Sequence, residues 1–224
     1  MSKIAICLHG LSEGRNDKGD VVSHTRSFKN MQKNILDVQE CDVFLHTWSN
    51  DEDHVASVKK LYKPCSAEFE KKVMFDESPS KLHSVKSKWY SYKKSVELKK
   101  KREESQGFTY DFVFVTRFDN CFCTPLVFKE YSTDCFYSSN WEYPHNIKGF
   151  LDLWFFSGSK DMDKFSTLFD SLDSYLADGH ELSNHTLSKT HAKVLNLNMV
   201  NTKFENIDFG LERSIAGKLD EVCI

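Results

Sequence analysis

The segment Asp111-Phe-Val-Phe-Val-Thr-Arg-Phe-Asp-Asn120 constrains the fold more than any other part of the chain. From Phe112 to Val115 aromatic and β-branched residues follow one another with no polar alternate. Such a run fits a strand buried on both faces, the condition of a parallel sheet covered by helices. It then stops on Arg117, Asp119 and Asn120. Charges at the carboxyl end of a buried strand stand where open α/β sheets bind ligands. An Asp there, with an Arg two residues earlier, suits the holding of a divalent cation against nucleotide phosphates. The plainer alternative is an Asp that caps a turn or pairs with Arg117.

The remaining chain alternates strand and helix. Lys3 to Leu8 reads as a strand ending in the turn His9-Gly10. A polar loop from Leu11 to Val22 follows, then a helix capped by Ser23 or Thr25 with Phe28, Met31 and Ile35 inward. Asp42 to Trp48 is a second strand, and Asp51 to Tyr62 a helix ended by Pro64. Apolar residues at 82, 85, 89, 92 and 96 mark a long amphipathic helix reaching Gly107. Cys135–Ser138 and Leu153–Phe156 read as strands, Ser159 as the cap of a helix continuing to Leu176, His180 to Ala192 as a helix, and Val194 to Val200 as a half-exposed strand. The last twenty residues are polar. The expected architecture is therefore α/β: one domain over residues 1–205, a mainly parallel sheet flanked by helices, with 206–224 a tail or linker. A chain of 224 residues has room for one such domain with a sizeable core, and 18 Phe predict aromatic packing within it.

Charge and cysteine usage exclude several classes. A net charge of -3 offers no field that would gather nucleic acid or anionic lipid. The Lys-rich helix (Lys81, Lys86, Lys88, Lys93, Lys94, Lys99, Lys100, Lys101, Arg102) spreads its cations around its circumference, as a solvated face does. Seven Cys at 7, 41, 65, 121, 123, 135 and 223 follow no disulfide framework and fit reduced thiols in an intracellular, cytoplasmic setting. The apolar run Ile4–Leu8 is too short for a signal h-region, and no segment approaches a membrane span.

In a parallel sheet the strand carboxyl ends collect the site, and here those ends carry His9-Gly10, His46-Thr47-Trp48, Arg117-Phe-Asp119 and Ser157-Gly158. Gly10 permits close backbone approach to a ligand, and Arg15 follows in the same loop. The spacing matches neither the dinucleotide fingerprint nor a Walker loop. Arg117 can fork onto a phosphate. Ser91 and Lys94 lie three apart and share a helix face. Asp152 begins an apolar run beside Trp154, where partial desolvation would raise its pKa toward that of a general base. Glu181 near a helix start is a second carboxylate for that role, and His185 one turn on is a candidate metal or acceptor contact.

Four segments, Ile6–Gly10, Asp42–Trp48, Trp89–Lys94 leading into Tyr110–Asp119, and Asp152–Phe156, together resemble nucleotide-sugar glycosyltransferases of the GT-A fold. The likeness extends to the small glycosyltransferase domains of large DNA viruses of algae (chloroviruses), which decorate capsid glycoproteins. It spans residues 4 to about 190 and rests on the order and spacing of the segments. It implies that Arg117-Phe-Asp119 stands in the place of the Asp-x-Asp motif, with Arg where the first Asp is expected, so that Asp119 alone would hold Mn²⁺ or Mg²⁺. It implies that His9, Gly10 and Arg15 line the nucleotide, that Ser91 and Lys94 approach the donor sugar or diphosphate, and that Asp152 lies on the acceptor side. The implied donor is a UDP-sugar, UDP-glucose or UDP-rhamnose first, the acceptor a glycan or glycoprotein, and the location the host cytoplasm. Two other readings stand beside it. A metal-dependent nucleotidyltransferase would want paired Asp and a basic Gly-rich loop, of which only Arg15 and Lys18 are present. A non-catalytic nucleotide- or glycan-binding module would explain the missing first Asp.

Overall fold

The computed structural model of the protein describes residues 3–16, 19–77, 80–140, 148–205 and 207–212. In chain order the elements are β1 (Ile4–Gly10), the hairpin β2 (Glu13–Arg15) and β3 (Val21–Ser23), and α1 (Phe28–Met31), which runs on as a π-helical turn. Next come β4 (Asp42–Trp48), α2 (Glu52–Tyr62), β5 (Ser66–Glu70), α3 (Lys81–Gln106), β6 (Phe112–Arg117) and β7 (Asn120–Phe122). The chain continues through β8 (Phe136–Ser138), β9 (Trp154–Ser157), α4 (Ser159–Phe165), α5 (Leu168–Ala177), α6 (Asn184–Val194), β10 (Met199–Asn201) and β11 (Phe209–Leu211).

Among the described residues the central sheet has seven strands, in the order β10-β8-β9-β6-β1-β4-β5. β1 pairs in parallel with β4 on one side and β6 on the other, β4 with β5, and β10 with β8. Among the described strands of this sheet, β9 alone runs against its neighbours. The expected α/β fold with a mainly parallel sheet is thus what the chain forms. The three central strands are almost wholly buried, as their unbroken apolar runs require. One face carries α3 to α6, packed through Trp89, Tyr92, Val96, Phe155, Phe165 and Leu172. The other buries α1, α2 and a Phe-rich layer around Phe114, Phe122, Phe128, Trp154 and Phe156. Phe114 meets Phe122 at 5.5 Å and Phe128 meets Phe156 at 5.2 Å, edge to face.

Helix ends follow local chemistry. The Asp51 carboxylate accepts the His54 amide at 2.8 Å to open α2, and Ser80 accepts that of His83 at 3.1 Å to open α3. α3 ends at Gly107 in the left-handed region, φ 66°. Several boundaries depart from the sequence reading. The helix expected from Ser159 to Leu176 breaks at Ser166–Thr167 into α4 and α5. Ser159 does not cap it: Gly158 is the N-cap, and the Ser159 hydroxyl instead bonds Glu103 at 2.7 Å and receives Lys99 at 2.6 Å. α6 starts at Asn184 rather than His180, because Gly179 turns the chain at φ 85°. It runs to Val194, so the expected strand shrinks to β10. The polar loop after β1 folds into the β2–β3 hairpin, and β5 was not foreseen.

Residues 207–212, inside the stretch expected to be tail, place β11 antiparallel to β7, and the Glu212 amide bonds the Asp119 carbonyl at 2.8 Å. Residues 206 and 213–224 of that stretch lie outside the described residues. Cys7, Cys41, Cys65, Cys121 and Cys135 are free thiols, whereas Cys123, expected reduced, is disulfide-bonded. Among the described residues no helix is long and apolar enough to cross a membrane.

Candidate active site

The chain direction makes the site. From β1 the sheet grows one way through β4 to β5, then α3 carries the chain back so that β6 joins β1 on its other edge. Between β1 and β6 the strand order reverses, and such a switch point leaves a crevice beyond the carboxyl ends. A cleft of about 440 Å³ opens there. His9 and Gly10 from β1, Trp48 from β4 and Arg117 from β6 form its floor, and Arg15 and Asn16 of the hairpin overhang it. Lys88 of α3, the Leu151–Leu153 approach to β9, and Asn184 and His185 at the start of α6 close the far wall. Because β9 is antiparallel, its amino end carries Asp152 to the cleft. Its carboxyl end, Ser157-Gly158, lies opposite Val113 at the far edge of the sheet. The expectation that Ser157-Gly158 joins the site therefore fails on strand direction.

Lys88, Asp152 and His185 form a chain along that wall. The Lys88 ammonium pairs with the Asp152 carboxylate and donates to the Asp152 carbonyl at 2.6 Å, over the Trp89 ring. His185 Nδ1 stands 2.8 Å from the other Asp152 oxygen and 2.7 Å from the Phe150 carbonyl. Burial alone pushes the Asp152 carboxyl up, but Lys88 and His185 outweigh it and hold it well below the ordinary carboxylate range. The sequence predicts the reverse, because the apolar neighbours of Asp152 are local whereas Lys88 and His185 reach it from distant parts of the chain. The hydrogen bond that His185 donates to Asp152 raises the His185 pKa above 6.5, against its partial burial. Burial and then Lys88 and Arg117 push His9 well below 6.5, so its buried ring is neutral.

Other expected site residues sit elsewhere. Ser91 lies beneath the floor: its hydroxyl accepts the Gly10 amide at 2.7 Å and meets His46 Nδ1 at 2.7 Å. It ties α3 to β1 and β4 and is fully buried. Gly10 at φ 95° turns away from this tether into the hairpin, a geometry that favours glycine. Ser91→Ala would leave the buried His46 Nδ1 and the half-buried Gly10 amide without that partner, so it should cost about 1–3 kcal/mol in urea unfolding. Lys94 points to the sheet edge, onto Glu68 at 2.8 Å and Glu70 at 3.2 Å, and does not line the cleft. Glu181 is exposed in the turn before α6 and does not line it either. Lys88, Asn184 and Lys72 line the cleft without having been singled out.

Asp119 stands behind Arg117. The guanidinium forks onto it, Nε to Oδ1 at 2.8 Å and Nη2 to Oδ2 at 2.7 Å. A divalent metal wants several hard oxygen ligands, and among the described residues a carboxylate forked by an Arg does not present them. Asp119 is buried, does not line the cleft, and joins no group of three ligand side chains among the described residues. The arrangement does not fit a metal held at Asp119, and the plainer Arg–Asp pair is what forms.

No protein-family model and no curated protein sequence matches the chain. Among solved structures, one described as a "putative nucleotide-diphospho-sugar transferase" from Desulfovibrio desulfuricans G20 aligns over 90% of this chain and 80% of its own. The TM-score is 0.47 and the identity 12%.

Proposed function

We propose that the protein is a glycosyltransferase that takes a nucleoside diphosphate sugar in this cleft and passes the sugar to a hydroxyl acceptor. One observation carries the reading. Arg15, Lys72, Lys88 and Arg117 converge on a crevice at the β1/β6 switch point, whose lining holds, among the described residues, one carboxylate, Asp152. That excess of cations suits a diphosphate, and its place in the sheet suits a nucleotide. Uridine as the base, a hexose or deoxyhexose as the sugar (UDP-glucose and UDP-rhamnose first), and a glycan or glycoprotein as acceptor rest on the sequence resemblance.

The reaction needs two things. Negative charge grows on the diphosphate as the glycosidic bond breaks, and fixed cations in a cleft stabilise it. Arg117 and Lys88 supply that charge, each braced by a carboxylate behind it, Asp119 and Asp152. The acceptor hydroxyl must lose its proton as it attacks the anomeric carbon. Asp152, committed to Lys88 and held ionised, is a weak base. His185 is the better one: it lines the cleft, its side chain is 40% exposed, and Asp152 strengthens it as a base. Direct displacement of this kind inverts the anomeric carbon.

Isothermal titration with UDP and UDP-glucose tests the reading. Both bind the wild type, in EDTA as well as in Mn²⁺, because protein cations rather than a metal face the phosphates. Arg117→Ala removes a charge-assisted contact worth about 1.5–3 kcal/mol and weakens binding correspondingly. A protein that binds no nucleoside diphosphate, or binds one only with Mn²⁺, overturns the respective half of the proposal.

A further inference from the structure

Among the described residues one group of three His and carboxylate side chains brings its ligand atoms together: Glu13, His24 and His54, all within 4.8 Å of one another. They come from three places. Glu13 opens β2, His24 follows β3, and His54 lies in the first turn of α2. The group stands beside the cleft but shares no residue with its lining.

Each imidazole is oriented through one nitrogen. His54 Nδ1 meets the Ser49 hydroxyl at 2.8 Å, and His24 Nε2 meets that of Ser57 at 2.9 Å. The other nitrogens remain for the cluster. His54 Nε2 faces Glu13 at 3.5 Å and the Ser12 hydroxyl at 3.1 Å. His24 Nδ1 is buried and makes no hydrogen bond of normal geometry, with the Ser12 main chain near the ring, and His24 as a whole is only 4% exposed. An unsatisfied nitrogen in a buried side chain costs free energy, and a ligand that accepts its lone pair would remove that cost. One ring nitrogen held by an outer partner and the other turned inward is how metal-binding histidines are arranged. The main chain at His24 is also fixed, its amide on the Ser12 carbonyl at 2.7 Å and its carbonyl receiving the Tyr62 hydroxyl at 3.0 Å.

We propose that Glu13, His24 and His54 bind a zinc ion that fastens the β2–β3 hairpin to α2. Two imidazoles and a carboxylate are a zinc set, with water as fourth ligand, whereas Mg²⁺ and Ca²⁺ take oxygen. Ligand atoms around a tetrahedral zinc lie roughly 3.4 Å apart, as follows from bonds of about 2.0–2.1 Å. The Glu13–His54 pair is already at 3.5 Å, and the Glu13 side chain, 57% exposed, is free to swing and leaves an entry path. Ser12 gives up His54 on metal binding and keeps the Thr47 hydroxyl at 2.6 Å. The ion would fix the hairpin that carries the cleft residues Arg15 and Asn16, so it acts on the site without touching substrate.

The test uses tag-free full-length protein, stripped with chelator and titrated with ZnCl₂ by calorimetry, with Co²⁺ absorption as a second probe. The expected result is one equivalent of zinc, a raised melting temperature, a tetrahedral Co²⁺ spectrum and no response to MgCl₂. Glu13→Gln, an exposed change that spares the fold, weakens zinc at least about tenfold, and Ser57→Ala weakens it by a similar factor through His24. His54→Asn abolishes the Co²⁺ spectrum, with circular dichroism reporting its fold. Folded wild type that takes up no zinc overturns the proposal, as does zinc bound equally well by Glu13→Gln and His54→Asn. None of these readouts depends on glycosyl transfer, so the two proposals fail separately.

Discussion

Replacing Lys88 by Met should destabilise the protein by about 3–5 kcal/mol, the cost of leaving one member of a buried ion pair without its partner. The Lys88 and Asp152 side chains are only 11% and 9% exposed, so water cannot substitute for the lost ammonium. The Asp152 carbonyl loses its Lys88 donor as well. His185 compensates in part, since its Nδ1 lies against the same carboxylate. The pair itself need not be stabilising, because two charges must be dehydrated to form it. Lys88→Met with Asp152→Leu should therefore recover most of the loss, while donor binding stays impaired because the cation is gone. Urea unfolding of the four proteins, with m-values compared, measures the cycle. A Lys88→Met loss below about 1 kcal/mol would show that the pair is solvated in solution.

Lys88 also marks where sequence ceased to inform. β1, β4, β6 and α3 were legible because burial on both faces, or a three-four apolar stripe, leaves a local pattern. With those strands came His9, Gly10 and Arg117, since strand ends define the crevice. The Lys-rich helix read as a solvated face, yet Lys99 is fully buried, reaching Asp163 at 2.6 Å and Glu103 at 2.9 Å. α3 packs against the sheet and against α4 and α5 at once, so more of its circumference is covered than its apolar stripe implies. Asp152 meets a lysine 64 residues away, and no local pattern encodes that meeting or the pKa direction it sets. Strand direction is equally non-local: nothing within Trp154–Ser157 says that β9 runs antiparallel. β5, with the sequence Ser-Ala-Glu-Phe-Glu, is a half-buried edge strand whose glutamates serve Lys94 rather than the core.

His185→Gln should lower kcat for glycosyl transfer by about 10²–10⁴-fold with little change in donor affinity, the usual loss when a positioned base is removed. Gln can keep a hydrogen bond to Asp152 or to the Phe150 carbonyl, so the wall holds its shape while proton exchange is lost. The pH profile makes the assignment specific. A base works only when unprotonated, and Asp152 raises the His185 pKa. The rate of the wild type should therefore climb with pH through a midpoint above 6.5, the ordinary value for histidine. Asp152→Asn removes the contact that raises this pKa most, and burial and Lys88 then lower it against the Phe150 carbonyl alone. The midpoint should fall, so the variant reaches its own plateau at lower pH, with a smaller plateau rate because the base is weaker. Progress of UDP release between pH 5 and 9, corrected for the folded fraction, reads both effects. A midpoint unmoved by Asp152→Asn, or His185→Gln at full kcat, would assign the proton transfer to another group.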